Sequence, residues 1–274
     1  MKLWTTLSPV LDNKRWELLS RHINERGIAN TFEPLPIQIQ DLKDLKPLEK
    51  FDHVRLSSRY APQILPQIKV QSSWITTLGV SDGMVKGEKG WWPLCALYES
   101  FGKHLFDLGP RLDNRGSALI AGAGGAARVA IAALFKTGFR EFLLTNSNAD
   151  EAQRTIQDVR SKFFGLNLQW IPTERIVLLP GESSILVNCT PSVEENALLV
   201  ELSYMNFLKR PGFLFDLSLS SKPSILVQEA LDAGVSVLSG VQIAARADLL
   251  WAKWAFDTEL DLDSYLKDFT AVLV

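Results

Sequence analysis

The chain is poor in the residues that build metal centres and covalent scaffolds. Its 274 residues include only two cysteines, Cys95 and Cys189, and three histidines, His22, His53 and His104. The cysteines lie far apart and share no metal-ligand spacing, so no zinc or other metal site and no disulfide framework is expected; a reducing, cytoplasmic compartment fits best. Excess charge of either sign is also missing, with 29 Lys and Arg against 31 Asp and Glu and a formal net charge of −2. There is therefore no basic field to draw in nucleic acid, and no acidic tail. Long hydrophobic runs are scarce. The most charge-poor stretch, residues 117–135, contains Arg128 and several glycines and divides into a strand and a helix, so no membrane span is expected. The opening residues, 1–6, lack the apolar stretch of a secretory leader, and none is expected. Internal repeats and low-complexity segments are absent.

What is present is an ordinary globular composition, 46% apolar and 22% charged, in a length that suits two domains or one large one. The first hundred residues alternate short strands with amphipathic helices. Strands are predicted at 3–7, 31–37 and 52–57, and helices at 10–25, closed by Gly27, at 60–70 and at 92–106. Residues 74–87 read as a hairpin with Asp82-Gly83 as its tight turn. The middle of the chain is richer in apolar strands, predicted at 117–121, 141–145, 175–179, 184–188, 213–217 and 235–238. Helices are expected at 126–137, from about Asp150, and at 225–233, followed by an alanine-rich helix at 242–256 and a shorter one at 263–269. Strands alternating with crossover helices predict an α/β fold with a parallel sheet.

Gly122-Ala123-Gly124-Gly125-Ala126-Ala127 satisfies G-x-G-x-x-A. The motif alone is weak, but here it follows a strand, opens a helix and precedes another strand, as its mechanism requires. The first glycine permits the tight turn, the second lets the backbone approach a pyrophosphate, and Ala127 allows close helix-to-strand packing. The helix N-terminus supplies free N–H groups and a positive dipole end. The competing reading is a glycine turn that merely packs. The choice of dinucleotide stays open. Asn146-Ser147-Asn148-Ala149-Asp150-Glu151 has neither an acid at the strand end, as for NAD, nor an arginine, as for NADP. Arg128 and Arg154 are the nearest cations; Asp150 and Glu151 either repel a 2′-phosphate or simply start the next helix.

Taken together, these motifs resemble the shikimate dehydrogenase family. Its glycine turn has the form GAGGAxR, and residues 122–128 read GAGGAAR. Its Asn-Arg-Thr after the second strand corresponds to Asn146-Ser147-Asn148, and its Asn-Ala-Thr-Pro to Asn188-Cys189-Thr190-Pro191. Its aspartate-centred strand corresponds to Phe215-Asp216-Leu217, followed by Lys222-Pro223-Ser224. Its closing glycine, glutamine and Leu-Trp helix correspond to Gly240, Gln242 and Leu249-Leu250-Trp251. The order holds across residues 119–251. The N-terminal half matches more faintly. The family's Ser-x-Ser-Pro, which binds the substrate carboxylate, falls on Thr6-Leu7-Ser8-Pro9, a segment that also reads as an ordinary helix start.

The resemblance implies a Rossmann-type dinucleotide-binding domain over 101–241 and an α/β substrate-binding domain made of 1–100 plus 242–274. It implies NADP(H)-dependent reduction of 3-dehydroshikimate to shikimate, or of a related acid, in aromatic amino acid biosynthesis, with NAD not excluded. The substrate would be a small anionic metabolite in the cleft between the domains, and the protein a cytoplasmic monomer or homodimer. The cofactor would lie along Gly122, Gly124, Gly125, Ala126, Arg128, Asn146, Ser147, Asn148 and Thr190, and the substrate near Thr6, Ser8, Arg55, Thr76 and Gln242. The departures are as telling. The family's catalytic lysine falls on Arg59 and its partner aspartate on Trp91. Arginine stays protonated at every usable pH, so it binds anions but is a poor general acid or base. Glu88 and Lys89 offer a substitute pair, or are solvated surface; Arg55, Arg59 and Trp91 line a pocket for an anionic, flat ligand, or are surface basic residues and a seam aromatic. Two functions remain open: an oxidoreductase of this type, and a catalytically altered member that binds a nucleotide or metabolite in a sensing or regulatory role.

Overall fold

The computed structural model describes residues 1–7, 13–69, 71–190, 197–220 and 222–273. The chain divides into two compact units, Met1–Ser100 with Ala244–Val274, and Phe101–Ile243. In chain order the first unit contains β1 (Lys2–Leu7), α1 (Lys14–Glu25), β2 (Asn30–Phe32), β3 (His53–Leu56), α2 (Ala61–Ile64), α3 (Ser73–Leu78), β4 (Gly83–Gly87) and β5 (Gly90–Leu94). Helix α4 (Ala96–Leu108) leads into the second unit, with β6 (Ser117–Ala121), α5 (Gly125–Lys136), β7 (Glu141–Thr145), α6 (Ala149–Lys162), β8 (Asn167–Trp170), β9 (Ser183–Asn188), α7 (Ala197–Ser203), β10 (Leu208–Asp216), α8 (Ile225–Asp232) and β11 (Ser236–Ser239). Helix α9 (Gly240–Phe256) leads back to the first, which ends with α10 (Leu262–Val272).

The second unit is a six-stranded sheet in the order β11-β10-β9-β6-β7-β8, and every pairing in it is parallel. Its central strands carry apolar runs, Ala118–Ala121 in β6 and Ile185–Val187 in β9, as strands covered on both faces do. All six residues of β9 and the last four of β6 are buried. Helix α5 packs tightly because its buried face is built from small residues, Ala127, Ala130, Ala132 and Ala133 among them. The direction of strand succession reverses between β6 and β9, and such a switch point opens a crevice at the carboxyl ends of the strands.

The first unit is a five-stranded sheet in the order β2-β1-β3-β4-β5, parallel over the first three strands and antiparallel at β4 and β5. Alternation along β3 sorts its side chains to two faces. Val54 and Leu56 join Leu7, Phe51, Tyr60, Ile64 and Met84 in one core. His53 and Arg55 turn to the other face, where His53 meets Phe256 with ring centroids 5.0 Å apart and Trp4, the register partner of His53, meets Trp251 at 5.0 Å.

Several boundaries differ from expectation. The hairpin is not at 74–87: Trp74 lies in α3, which Ser72 caps and Gly79 closes at φ +62°, and the true hairpin is β4–β5, turning at Glu88-Lys89 with Gly90 at φ +106°. Asp82 is not a turn residue. Its carboxylate caps the start of α4, accepting from the Ala96 and Leu97 N–H groups at 2.7 Å each. Gly83 serves packing, since a Cβ there would stand 2.6 Å from Trp251 Cδ1. Trp92 belongs to β5, so α4 starts four residues later than the pattern suggested. Residues 175–179 are not a strand: most of them form a 3₁₀ turn over Thr173–Leu178, set between Pro172 and Pro180, and only Ile176 of that turn is buried. The chain after β2 is irregular where 31–37 was read as strand, and 60–69 breaks into short helical turns at Pro62 and Pro66. Strand β8 escaped notice because it is a four-residue edge strand with alternating exposure.

Candidate functional site

The glycine elbow sits at the end of β6, on the switch point. Gly122 has φ +106°, a conformation only glycine adopts without strain, and its N–H donates to Thr145 O at 2.8 Å. A Cβ on Gly122 would lie 3.3 Å from Cys189 and from Thr190 Cγ2, so the turns after β6 and β9 touch here. Among the described residues, Gly124 is exposed, with nothing within 4 Å of where a Cβ would stand, and no side chain caps the helix. The first N–H groups of α5, at Gly125 and Ala126, have no intrahelical partners, as at any helix start. Thr155 on α6 steadies the elbow by donating to Ala123 O at 2.7 Å. A glycine elbow with an exposed Gly124, helix-start amides that lack intrahelical partners and a close backbone fits the pyrophosphate of a dinucleotide.

The ends of β9 and β10 hold a buried polar network centred on Asn188 and Asp216. Asn188 Nδ2 donates to Asp216 Oδ1 at 2.9 Å, while Asn188 Oδ1 accepts from both the N–H and the hydroxyl of Thr190, at 3.0 and 2.7 Å. Asp216 also accepts from Ser218 Oγ at 2.8 Å. The network fixes the orientation of Thr190 beside the elbow; Pro191 lies outside the described residues. Desolvation of the half-buried Cys189, with Asp216 nearby, raises its thiol above the ordinary range, which favours the protonated form. At the end of β7, Asn148 caps α6 by accepting from Glu151 N–H at 3.0 Å, and Ser147 is exposed. Asn146 Nδ2 donates to Asn148 O at 3.0 Å and Glu151 Oε2 at 3.1 Å. Arg128 is taken by Asp158, which also pairs with Lys162 at 2.8 Å.

In the other unit, Thr6 and Arg55 are register partners on β1 and β3 and share a face. Arg55 is 5% exposed and sits between two carboxylates: Nη1 reaches Asp82 Oδ1 at 3.1 Å and Nη2 reaches Asp248 Oδ1 at 3.3 Å. Burial alone would lower its pKa, but Asp82 and Asp248 reverse that and hold it above the ordinary value. Asp248, fully buried, also takes Arg15 through two contacts of 2.7 Å and the Tyr265 hydroxyl at 3.0 Å. Arg15, Asp82, Asp248 and Tyr265 were not expected. The one signal was Asp248 itself, a single acid in the buried stretch of an alanine-rich helix.

The remaining expected residues are scattered. Arg59 follows β3 in a 3₁₀ turn, exposed and without an ion-pair partner among the described residues. Trp91 lies within β5, on the face opposite Arg55, packed against the Leu7–Met84 core with Lys86 Nζ 5.7 Å from its ring. Thr76 is exposed on α3 and donates back to Ser72 O at 3.2 Å. Gln242 closes a capping box on α9, its Oε1 accepting from Ser239 N–H at 3.0 Å. Ser8 lies outside the described residues. Among the described residues there is no cluster of three or more His, Cys, Asp or Glu side chains able to hold a metal, and no helix long and apolar enough to cross a membrane.

An open, all-parallel sheet of this strand order with a glycine elbow at its switch point defines a Rossmann-type dinucleotide fold. No family model matches the chain. It is 31% identical over 160 residues to the shikimate dehydrogenase (NADP(+)) of Dictyoglomus turgidum, across 57% of this chain and 55% of that relative, so this chain spans about half that relative's length. It is 23% identical to the shikimate dehydrogenase (NADP(+)) of Gloeothece citriformis across 96% of this chain and 92% of the relative. Its fold matches the crystal structure of shikimate 5-dehydrogenase from Thermus thermophilus in complex with shikimate, with a TM-score of 0.80, 20% identity and both chains covered completely. The chain is a divergent relative of the shikimate dehydrogenases.

Proposed function

We propose that the chain is a nicotinamide-dinucleotide oxidoreductase of the shikimate dehydrogenase type, acting on 3-dehydroshikimate and shikimate or on a related hydroxy acid; its relatives' names give NADP(+), and NAD(H) is the alternative cofactor. The observation that carries the reading is the elbow Gly122–Gly125, which opens helix α5 at the switch point of a parallel sheet with Gly124 exposed among the described residues. The cofactor contacts are Gly122, Gly124, Gly125, Ala126, Arg128, Asn146, Ser147, Asn148 and Thr190. A bound nicotinamide supplies or accepts hydride. Thr6, Ser8, Arg55, Thr76 and Gln242 are the substrate-facing candidates, with Gln242 and Arg55 also committed to the cap and the ion pairs described above. Arg59, free of ion pairs among the described residues, holds the anionic group or steadies negative charge on the carbonyl oxygen; as a permanent cation it does not shuttle the proton. Trp91 supplies no acid or base.

Absorbance at 340 nm with shikimate or quinate and NADP+ or NAD+ tests the reading, and turnover is the expected result. Arg59→Lys, which restores an amine able to titrate, should raise the rate and introduce a new ionisation in the pH profile. A dinucleotide-dependent rise in melting temperature with no turnover, in the native chain and in Arg59→Lys alike, overturns the enzyme and favours the second reading, a binding protein that has lost its acid–base pair.

A further inference from the structure

The ribose end of the proposed dinucleotide site presents a carboxylate where a 2′-phosphate would need a cation. In a sheet of this order the pyrophosphate lies at the turn after β6 and the adenosine ribose at the end of the neighbouring strand, here β7. That strand ends at Thr145, and no basic residue follows in Asn146-Ser147-Asn148. Glu151, in the first turn of α6, folds back over the strand end: its Oε2 accepts from Asn146 Nδ2 at 3.1 Å, and its N–H is held by Asn148 Oδ1 at 3.0 Å. Asp150 stands beside it in the same turn. Arg128, the cation nearest the elbow, is engaged by Asp158. Arg154 is exposed and unpaired among the described residues, but it lies one turn beyond Glu151 on the same helix, where the two acids oppose its charge.

We propose that Glu151 determines cofactor specificity, selecting the 2′,3′-diol of NAD(H) over the 2′-phosphate of NADP(H). A carboxylate at this place accepts hydrogen bonds from ribose hydroxyls. Against a phosphate monoester carrying about −1.5 to −2 charge it is repulsive. The inference rests on the reading that the elbow holds a dinucleotide, and it departs from the cofactor in the relatives' names.

The test is titration calorimetry of the full chain with ADP-ribose and 2′-phospho-ADP-ribose, which lack the nicotinamide and so read the ribose end directly, followed by NAD+ and NADP+. Wild-type protein should bind the unphosphorylated member of each pair about tenfold more tightly, from like-charge repulsion in a partly solvated site. Glu151→Gln should close most of that gap, by about fivefold, with the effect shrinking as salt rises. Ser147→Arg, which adds a cation at the exposed turn, should move the ratio the same way. Equal or tighter binding of the phosphorylated ligands to wild type, or an unchanged ratio in Glu151→Gln, overturns the inference and leaves the dinucleotide site standing. Failure of all four ligands to bind wild type removes the dinucleotide reading itself, and this inference with it.

Discussion

Replacing Asp248 by Asn keeps the shape of the side chain and deletes the charge at the centre of the first unit's buried network. The carboxylate receives two contacts from Arg15 at 2.7 Å, one from Arg55 at 3.3 Å and the Tyr265 hydroxyl at 3.0 Å, all donors. An amide keeps one accepting oxygen and turns an –NH₂ group towards those donors, so at least one close contact becomes repulsive. The two arginines fare differently. Arg55 keeps Asp82 but is nearly enclosed, whereas the Arg15 side chain is 15% exposed and recovers some hydration. Breaking a buried pair from one side costs about 3–5 kcal/mol, and partial rehydration of Arg15 places the expected loss near the lower bound, about 3 kcal/mol. Tryptophan fluorescence reads this unit almost alone, because Trp170 is the single tryptophan of the eight that lies in the other. Urea unfolding followed by fluorescence should show the midpoint fall at unchanged m-value. A loss under about 1 kcal/mol would refute the argument, since a hydrated network of this kind is worth no more than that.

The His53 imidazole is buried against Phe256, and neither ring nitrogen has a hydrogen-bond partner among the described residues. Burial, with Lys2 nearby, lowers its pKa to about 4 from 6.5. The unfolded chain therefore binds the proton more readily. The stabilising effect of a neutral His53 is complete above pH 6.5 and is lost as pH falls from 6.5 towards 4, by about 2–3 kcal/mol. Urea midpoints measured from pH 7 to pH 4 should show that slope in the wild type and lose it in His53→Leu; an equal slope in both would count against a neutral buried imidazole. In the second unit, a Cβ on Gly240 would lie 2.2 Å from Ser218 O, a backbone atom that cannot swing away. Gly240→Ala should lower stability by about 2 kcal/mol or more on a far-UV circular dichroism melt, and an unchanged melting temperature would show that the two backbones are not in contact.

The parts legible in the sequence are those whose physics is local. The elbow could be read because a glycine at positive φ, a small residue at the helix face and a strand on each side occur within about thirty residues, and each has its own chemical reason. The parallel sheet followed from apolar strands alternating with helices. The hairpin was misplaced because Asp82-Gly83 has the composition of a turn, and its true use depends on α4 and Trp251, both remote in sequence. Residues 175–179 look like a strand to any periodicity, yet between Pro172 and Pro180 most of them form a 3₁₀ turn.

The candidate site divides along the same line. The elbow proposed to hold phosphates was set by a contiguous motif. The contacts of Arg55 and Glu151 were decided only in three dimensions, because a charge takes its meaning from what faces it. Arg55 meets a carboxylate 193 residues away, and Arg15 meets the same carboxylate across 233 residues. Glu151 is close in sequence to Asn146, yet whether its carboxylate turned to solvent or back over the strand end rested on a side-chain conformation that no pattern of residues encodes. Chain order alone specified the backbone cradle, and tertiary packing decided which charges stand free to meet a ligand.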